Sequence, residues 1–260
     1  MKCVFSSTFK SLRRCSIPKS IRVLLFSTET LKTDECSNSS LFSRISACGN
    51  PRVSMLPILD QWVQEGNSVE QQELDRAIRD VRSVKRYRHA LEISEWMSER
   101  RNFVLSPGDI AIWLDLISKV RGSEAVENYF NEIPDELRSF QVYGALLNCY
   151  ANINSLEKAE ALMQKMMKLK LVRSILPNIV MLNLYRKMGK HNKVENLVQL
   201  MKNRGIPWDE YTLSIRLNAY ADTPDIEAME KLLMEMERDQ QFHMTWNAYA
   251  IAARGDMKLA

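Results

Sequence analysis

The sequence is short of helix-breaking residues and of the residue groups that build catalytic or metal centres. Its 260 residues hold only 8 Gly and 8 Pro, as expected where most of a chain is helical. No stretch approaches the roughly 18 consecutive apolar residues of a membrane-spanning helix, so a membrane is not among the expected partners. The five cysteines, Cys3, Cys15, Cys36, Cys48 and Cys149, contain no Cys-x-x-Cys pair. Neither a disulfide framework nor a zinc site is supported, and a reducing compartment fits. The three histidines, His89, His191 and His243, are scattered. There is no phosphate-binding Gly-rich loop and no Gly-x-Ser-x-Gly elbow. Asp109 and Asp115, and Glu132, Asp135 and Glu136, read as solvated acids with no constellation around them. The chain is therefore not expected to be an enzyme, and no catalytic residue, cofactor, metal or small-molecule substrate is expected.

Acid is missing from the start. The first 28 residues include Lys2, Lys10, Arg13, Arg14, Lys19 and Arg22, and the first carboxylate is Glu29. Scattered Ser and apolar residues complete the description of an amphipathic organelle transit peptide. Residues 1–27 are assigned to it, 28–52 to a polar linker, and 53–260 to a helical array. The formal charge is +4, and removing residues 1–26 takes six basic residues and no acids, leaving −2. The pI of 8.7 thus belongs to the leader, and any basic surface must be local.

What the sequence does have is periodicity. Asn148, Asn183 and Asn218 recur every 35 residues, as do Tyr150, Tyr185 and Tyr220. Leu162, Leu197 and Leu232 keep the same register, and so do Met166, Met201 and Met236. A fixed period of this size marks a repeat array whose units bury their apolar faces by stacking on neighbours. The fold expected is all-α, with function spread along a surface. The Tyr and Met columns read as packing, and the Asn column as helix-surface or inter-unit hydrogen-bonding residues.

Apolar spacing predicts helices over 142–151 and 156–168, 179–188 and 193–203, and 212–221 and 226–238. Flanking pairs are expected at 74–84 and 88–99, and at 110–120 and 124–131. Leu56, Leu59, Trp62 and Val63 form an earlier stripe, preceded by a single turn at 41–45. Gly189 and Gly205 sit where left-handed C-caps are wanted. A last helix at 245–253 runs into a turn at Arg254-Gly255-Asp256. That makes about five units plus a truncated last one, as though a longer array had been shortened.

The unit pattern separates two families of helix pairs. A tetratricopeptide Trp-x-x-Leu-Gly start is absent. Lys202-Asn-Arg-Gly-Ile-Pro-Trp-Asp209 resembles the ending of pentatricopeptide repeats, and Tyr143-Gly-Ala-Leu-Leu-Asn-Cys-Tyr150 resembles their opening. Leu59-Asp-Gln-Trp-Val-Gln-Glu-Gly66, His89-Ala-Leu-Glu-Ile-Ser-Glu-Trp-Met97, Lys119-Val-Arg-Gly122 and Pro134-Asp-Glu-Leu137 resemble blocks of plant P-type mitochondrial members. Arg22-Val-Leu-Leu-Phe-Ser-Thr28 is similar to the end of plant mitochondrial presequences, with processing near Phe26–Ser27.

The resemblance implies a right-handed α-solenoid that binds single-stranded organellar RNA, one base per repeat, in the mitochondrial matrix. In the family each base is read by the fifth and last residues of a unit. Carried over, the pairs are Ala111 with Ser139, Gly144 with Ser174, and Ile179 with Asp209; Asn178 stands one place before the expected polar position. Ser214 pairs with a residue near Phe242, and Asn247 stands alone. Arg79, Arg82, Lys85, Arg86 and Arg88 are candidates for phosphate contacts. The alternative reading is a mitochondrial protein–protein scaffold, since the fifth positions are short of hydrogen-bonding groups.

Overall fold

The computed structural model describes residues 40–257, apart from 51, 101–104, 173, 207–208, 224 and 239–245. The leader, most of the linker, Cys3, Cys15, Cys36, Pro224, Phe242 and His243 lie outside the described residues. Among those described, the chain forms thirteen α-helices, one 3-10 turn and no strand. They divide into two units, 1–101 and 102–260.

The first unit contains α1 (Leu41–Ala47), α2 (Leu56–Gln64), α3 (Gln71–Ser83) and α4 (Tyr87–Arg100). The single turn expected at 41–45 is thus a seven-residue helix, capped by Ser40. Its inner residues Leu41 and Ile45 are buried, which is what holds so short a helix in place. Of the α2 stripe only Leu59 is buried. A polar network joins the elements. His89 is fully buried, with Nε2 donating to the Val53 carbonyl at 2.9 Å. Its Nδ1 accepts from Arg86 Nε at 2.9 Å, and the same guanidinium reaches the carbonyls of Ile45 and Cys48. Glu92 accepts from the Met55 N–H at 2.8 Å and Ser54 Oγ at 3.1 Å, so α4 caps the start of α2.

The second unit is a two-layer stack. Helices α5 (Pro107–Arg121), α7 (Phe140–Asn152), α9 (Leu176–Lys187), α11 (Glu210–Ala221) and α13 (Trp246–Met257) pack side by side as a first layer. Helices α6 (Ser123–Glu132), α8 (Leu156–Lys168), α10 (His191–Asn203) and α12 (Ile226–Arg238) form the second layer, each packed on its pair-mate. Leu114, Leu147, Leu182 and Leu217 are fully buried along the first layer, and Met166, Met201 and Met236 are buried along the second. Each side chain in these columns is worth about 1.5–3 kcal/mol of transfer energy, and adjacent units supply the cover.

The turns repeat as strictly as the core. After the first helices, Asn154 and Gly189 are left-handed; after the second helices, Lys170 and Gly205 are. Each closes a Schellman pair, such as Lys190 N–H to the Tyr185 carbonyl at 2.8 Å with Gly189 N–H to Arg186 at 3.0 Å. The αL expectation at Gly189 and Gly205 is met. The turn expected at 254–256 is not: α13 runs through to Met257. Gly255 is there for close approach. A Cβ on it would lie 3.0 Å from Met229 Cε and 3.4 Å from Ala221 Cα. The acids also find structural roles, Asp109 completing the capping box of α5 with Ser106, and Asp115 pairing with Lys119 at 2.8 Å.

Two outcomes are expected. Gly255→Leu overpacks the α11–α12–α13 contact and costs about 1–3 kcal/mol in denaturant unfolding of the full chain. Burial, with Arg86 nearby, lowers the His89 pKa. Its contribution to stability is therefore complete above about pH 6.5 and is lost as pH falls below it. The unfolding temperature should drop as pH falls below about 6.5, and His89→Gln should flatten that limb.

Candidate nucleic-acid interface

Successive side chains on a helix turn by about 100°, and this sorts the expected reading positions. Ile110, Tyr143, Leu213 and Ala248 are buried at the fourth position of their units. Asn178 belongs to that column; it is buried, and its Nδ2 has no hydrogen-bond partner. The fifth positions, Ala111, Gly144, Ile179 and Ser214, are all half-buried, and Ile179 packs against the core cluster of α9, α10 and α11. Ile179, not Asn178, therefore occupies the fifth-position column. Asn247 is exposed.

The closing residues stand where one unit passes to the next. Ser139 is the N-cap residue of α7, and its hydroxyl bonds to Gln141 Oε1 at 2.9 Å. Ser174 is exposed before α9. Asp209 caps α11, accepting from the Thr212 N–H at 2.9 Å and hydroxyl at 3.0 Å. Ser214 donates back to the Glu210 carbonyl at 2.9 Å. Ala111, Gly144 and Ile179 offer no side-chain hydrogen bond to a base. One turn along, Asn183 Nδ2 reaches Tyr211 Oη at 3.4 Å, and Asn218 Oδ1 accepts from Arg254 at 2.5 Å. Those two amides tie one unit to the next, while Asn148 is exposed.

The Tyr column forms the joints between units. The hydroxyls of Tyr150, Tyr185 and Tyr220 face Glu127, Glu160 and Glu195 of the preceding second-layer helix. Lys158 binds Glu127 at 2.6 Å and Lys193 binds Glu160 at 2.5 Å, and both ammonium groups lie over the Tyr rings. In the third joint the equivalent position is Ala228, and Arg216 instead reaches Glu195 at 2.7 Å. Burial and the carboxylate charge push the Tyr150 hydroxyl up to about 12 and raise Tyr185 and Tyr220 as well.

A column outside the sequence reading is the most exposed. Leu176 (66%), Tyr211 (54%) and Trp246 (84%) stand 35 residues apart in the first turns of α9, α11 and α13. They lie three residues before Ile179, Ser214 and Tyr249, and their 35-residue spacing was the available signal. The aromatic rings of Tyr211 and Trp246 can stack on bases irrespective of sequence, and Leu176 offers an apolar contact at the same place in its unit. In the first unit, Arg79 and Lys85 are exposed, Arg82 is half-buried, Arg86 is held in the His89 network, and Arg88 pairs with Glu92 at 3.1 Å. Among the described residues no His, Cys, Asp and Glu cluster could hold a metal, and no helix is long and apolar enough to cross a membrane.

Helix pairs stacked on a 35-residue period define an α-solenoid repeat protein. The pentatricopeptide repeat family matches at residues 141–171 and 180–206. Similar relatives include two from Arabidopsis thaliana. Pentatricopeptide repeat-containing protein At2g20710, mitochondrial, is 44% identical over 84% of this chain and 45% of its own length. Pentatricopeptide repeat-containing protein At4g21705, mitochondrial, is 37% identical over 92% and 49%. The chain thus spans about half the length of these relatives. A crystal structure of the pentatricopeptide repeat protein PPR10 in complex with an 18-nt psaJ RNA element shares the fold. Its TM-score is 0.52 at 14% identity, covering 82% of this chain and 30% of that one. The chain belongs to the pentatricopeptide repeat family and groups with its plant mitochondrial members.

The joints carry an alkaline signature. Raised Tyr pKa values mean stability that is complete below about pH 10 and lost as pH rises further. The unfolding temperature should fall above about pH 10, and Tyr185→Phe should remove part of that fall.

Proposed function

We propose that this chain is a non-catalytic module that binds single-stranded RNA in the mitochondrial matrix and stabilises, positions or helps process transcripts. The observation that carries it is the exposed Leu176, Tyr211 and Trp246 column on the open face of the first layer. Apolar side chains repeated on the spacing of the fold suit a ligand that repeats, and a nucleotide chain offers one flat base per unit. The RNA complex of PPR10 and the mitochondrial relatives support the same reading, with residues 1–27 as the transit peptide.

Stacking and phosphate contacts supply affinity in this account. Base selection falls to Ser214, with Ser139, Ser174 and Asp209 beside the column, because Ala111, Gly144 and Ile179 cannot hydrogen bond through their side chains. Those three positions, together with the −2 charge of residues 27–260, are what a protein-binding scaffold would rest on.

Binding of the full chain to pooled single-stranded RNA, measured at two salt concentrations, tests the proposal. The affinity should fall steeply with salt. Tyr211→Ala and Trp246→Ala should each weaken it by about 1–3 kcal/mol across all sequences. Absence of saturable, salt-sensitive binding to any RNA would reject the proposal, and a protein partner retained after nuclease treatment would favour the scaffold.

A further inference from the structure

One stretch of the chain is free of acid. Residues 161–194 contain eight Lys and Arg and no Asp or Glu, a charge of +8, against −2 for residues 27–260 as a whole. The positive charge lost with the leader is therefore replaced locally, on the end of α8, on α9 and on the start of α10.

The fold gathers part of this charge at one edge. The helices of a pair are joined by turns of a few residues and run antiparallel, so second-layer helices end at the edge where first-layer helices begin. Lys165, Lys168 and Lys170 lie at the end of α8 and just beyond it, and all are exposed. Lys202 and Arg204 are the matching exposed pair at the end of α10. Arg204 Nη1 lies 3.1 Å from Met167 Sδ, which sets the end of α10 against the last turn of α8. Lys165 Nζ stands 5.6 Å from the centre of the Tyr143 ring in the first turns of α7. The carbonyl ends of α8 and α10 carry partial negative charge of about half an electron each, and the exposed acids Asp209 and Glu210 start α11 at the same edge, fewer charges than the five cations.

The edge also meets the stacking column. Leu176 lies eight positions after Lys168, and Tyr211 seven after Arg204. We propose that Lys165, Lys168, Lys170, Lys202 and Arg204 form a phosphate rail. It holds the sugar–phosphate backbone of a single strand along the edge from which α9 and α11 start, and the bases turn inward onto Leu176 and Tyr211. This rests on the RNA-binding reading and adds where the backbone lies and which cations hold it. The rail takes the place of the cations around Arg79 to Arg88, two of which are committed to Glu92 and to the His89 network.

The test uses the full chain and an unstructured oligouridine, reading the slope of log K against log salt. Each phosphate contact on a single strand contributes about 0.7 to that slope. The combined Lys168→Ala, Lys170→Ala and Lys202→Ala variant should reduce its magnitude by about 2, whereas the matching Lys→Arg variant should keep the wild-type slope. A control variant, Arg79→Ala with Lys85→Ala, should leave the slope nearly unchanged. Circular dichroism confirms that each variant is folded. A wild-type slope in the alanine variant, or a loss confined to the control, would overturn the rail while leaving RNA binding intact. Failure of the wild-type chain to bind would instead remove the reading on which the rail rests.

Discussion

The second unit depends on one constraint: no helix pair in it can bury its own apolar face. Leu147 on α7, Leu182 on α9 and Leu217 on α11 are fully buried only because each helix has a neighbour in the layer. The consequence is register. A helix displaced by one residue would turn its leucine by about 100° and present a fifth-position residue to the core. The 35-residue period is therefore a packing requirement first. The regular ladder of surface residues follows from it.

Polar joints refine that stacking. Tyr150, Tyr185 and Tyr220 each carry a hydroxyl to a carboxylate on the preceding second-layer helix, and a cation completes the group. The third joint is instructive, because Ala228 replaces the lysine and Arg216 arrives from the first layer to bind the same carboxylate through two nitrogens. A half-buried Glu beside a half-buried Tyr needs a cation, and the chain supplies one from whichever helix can reach. Asn183 and Asn218, joined to Tyr211 and Arg254, make a second ladder on the open side.

Much of this was legible in the sequence. Columns of Leu and Met, αL glycines and apolar spacing predicted α8 and α12 to the residue. They placed the other helices of the second unit within three residues at either end, apart from the end of α13, which lies four residues further on. Short-range signals failed where the cause was tertiary. Gly255 looks like a helix stop, but its lack of a Cβ serves contact with Met229. The Arg79–Arg88 cluster looks like one basic patch, yet Arg86 is drawn inward by His89 and two carbonyls. Of the candidate site, the placement of the fifth positions on an accessible stripe was readable from helical geometry. The exposure of Leu176, Tyr211 and Trp246 was not, since an apolar residue at a helix start reads as core until its neighbours are known. The acid-free segment 161–194 was visible in the letters, but its gathering at one edge needed the antiparallel pairing.

The central claim is that a single strand lies along the open face of the first layer, its bases on the Leu176, Tyr211 and Trp246 column. Photocrosslinking of the full chain to single-stranded RNA, with the linked residues mapped by mass spectrometry, addresses it most directly. Crosslinks concentrated at Tyr211 and Trp246 and in the first turns of α9, α11 and α13 are the predicted result. Crosslinks confined to the outer faces of α8, α10 and α12, or spread without regard to the layers, would contradict it.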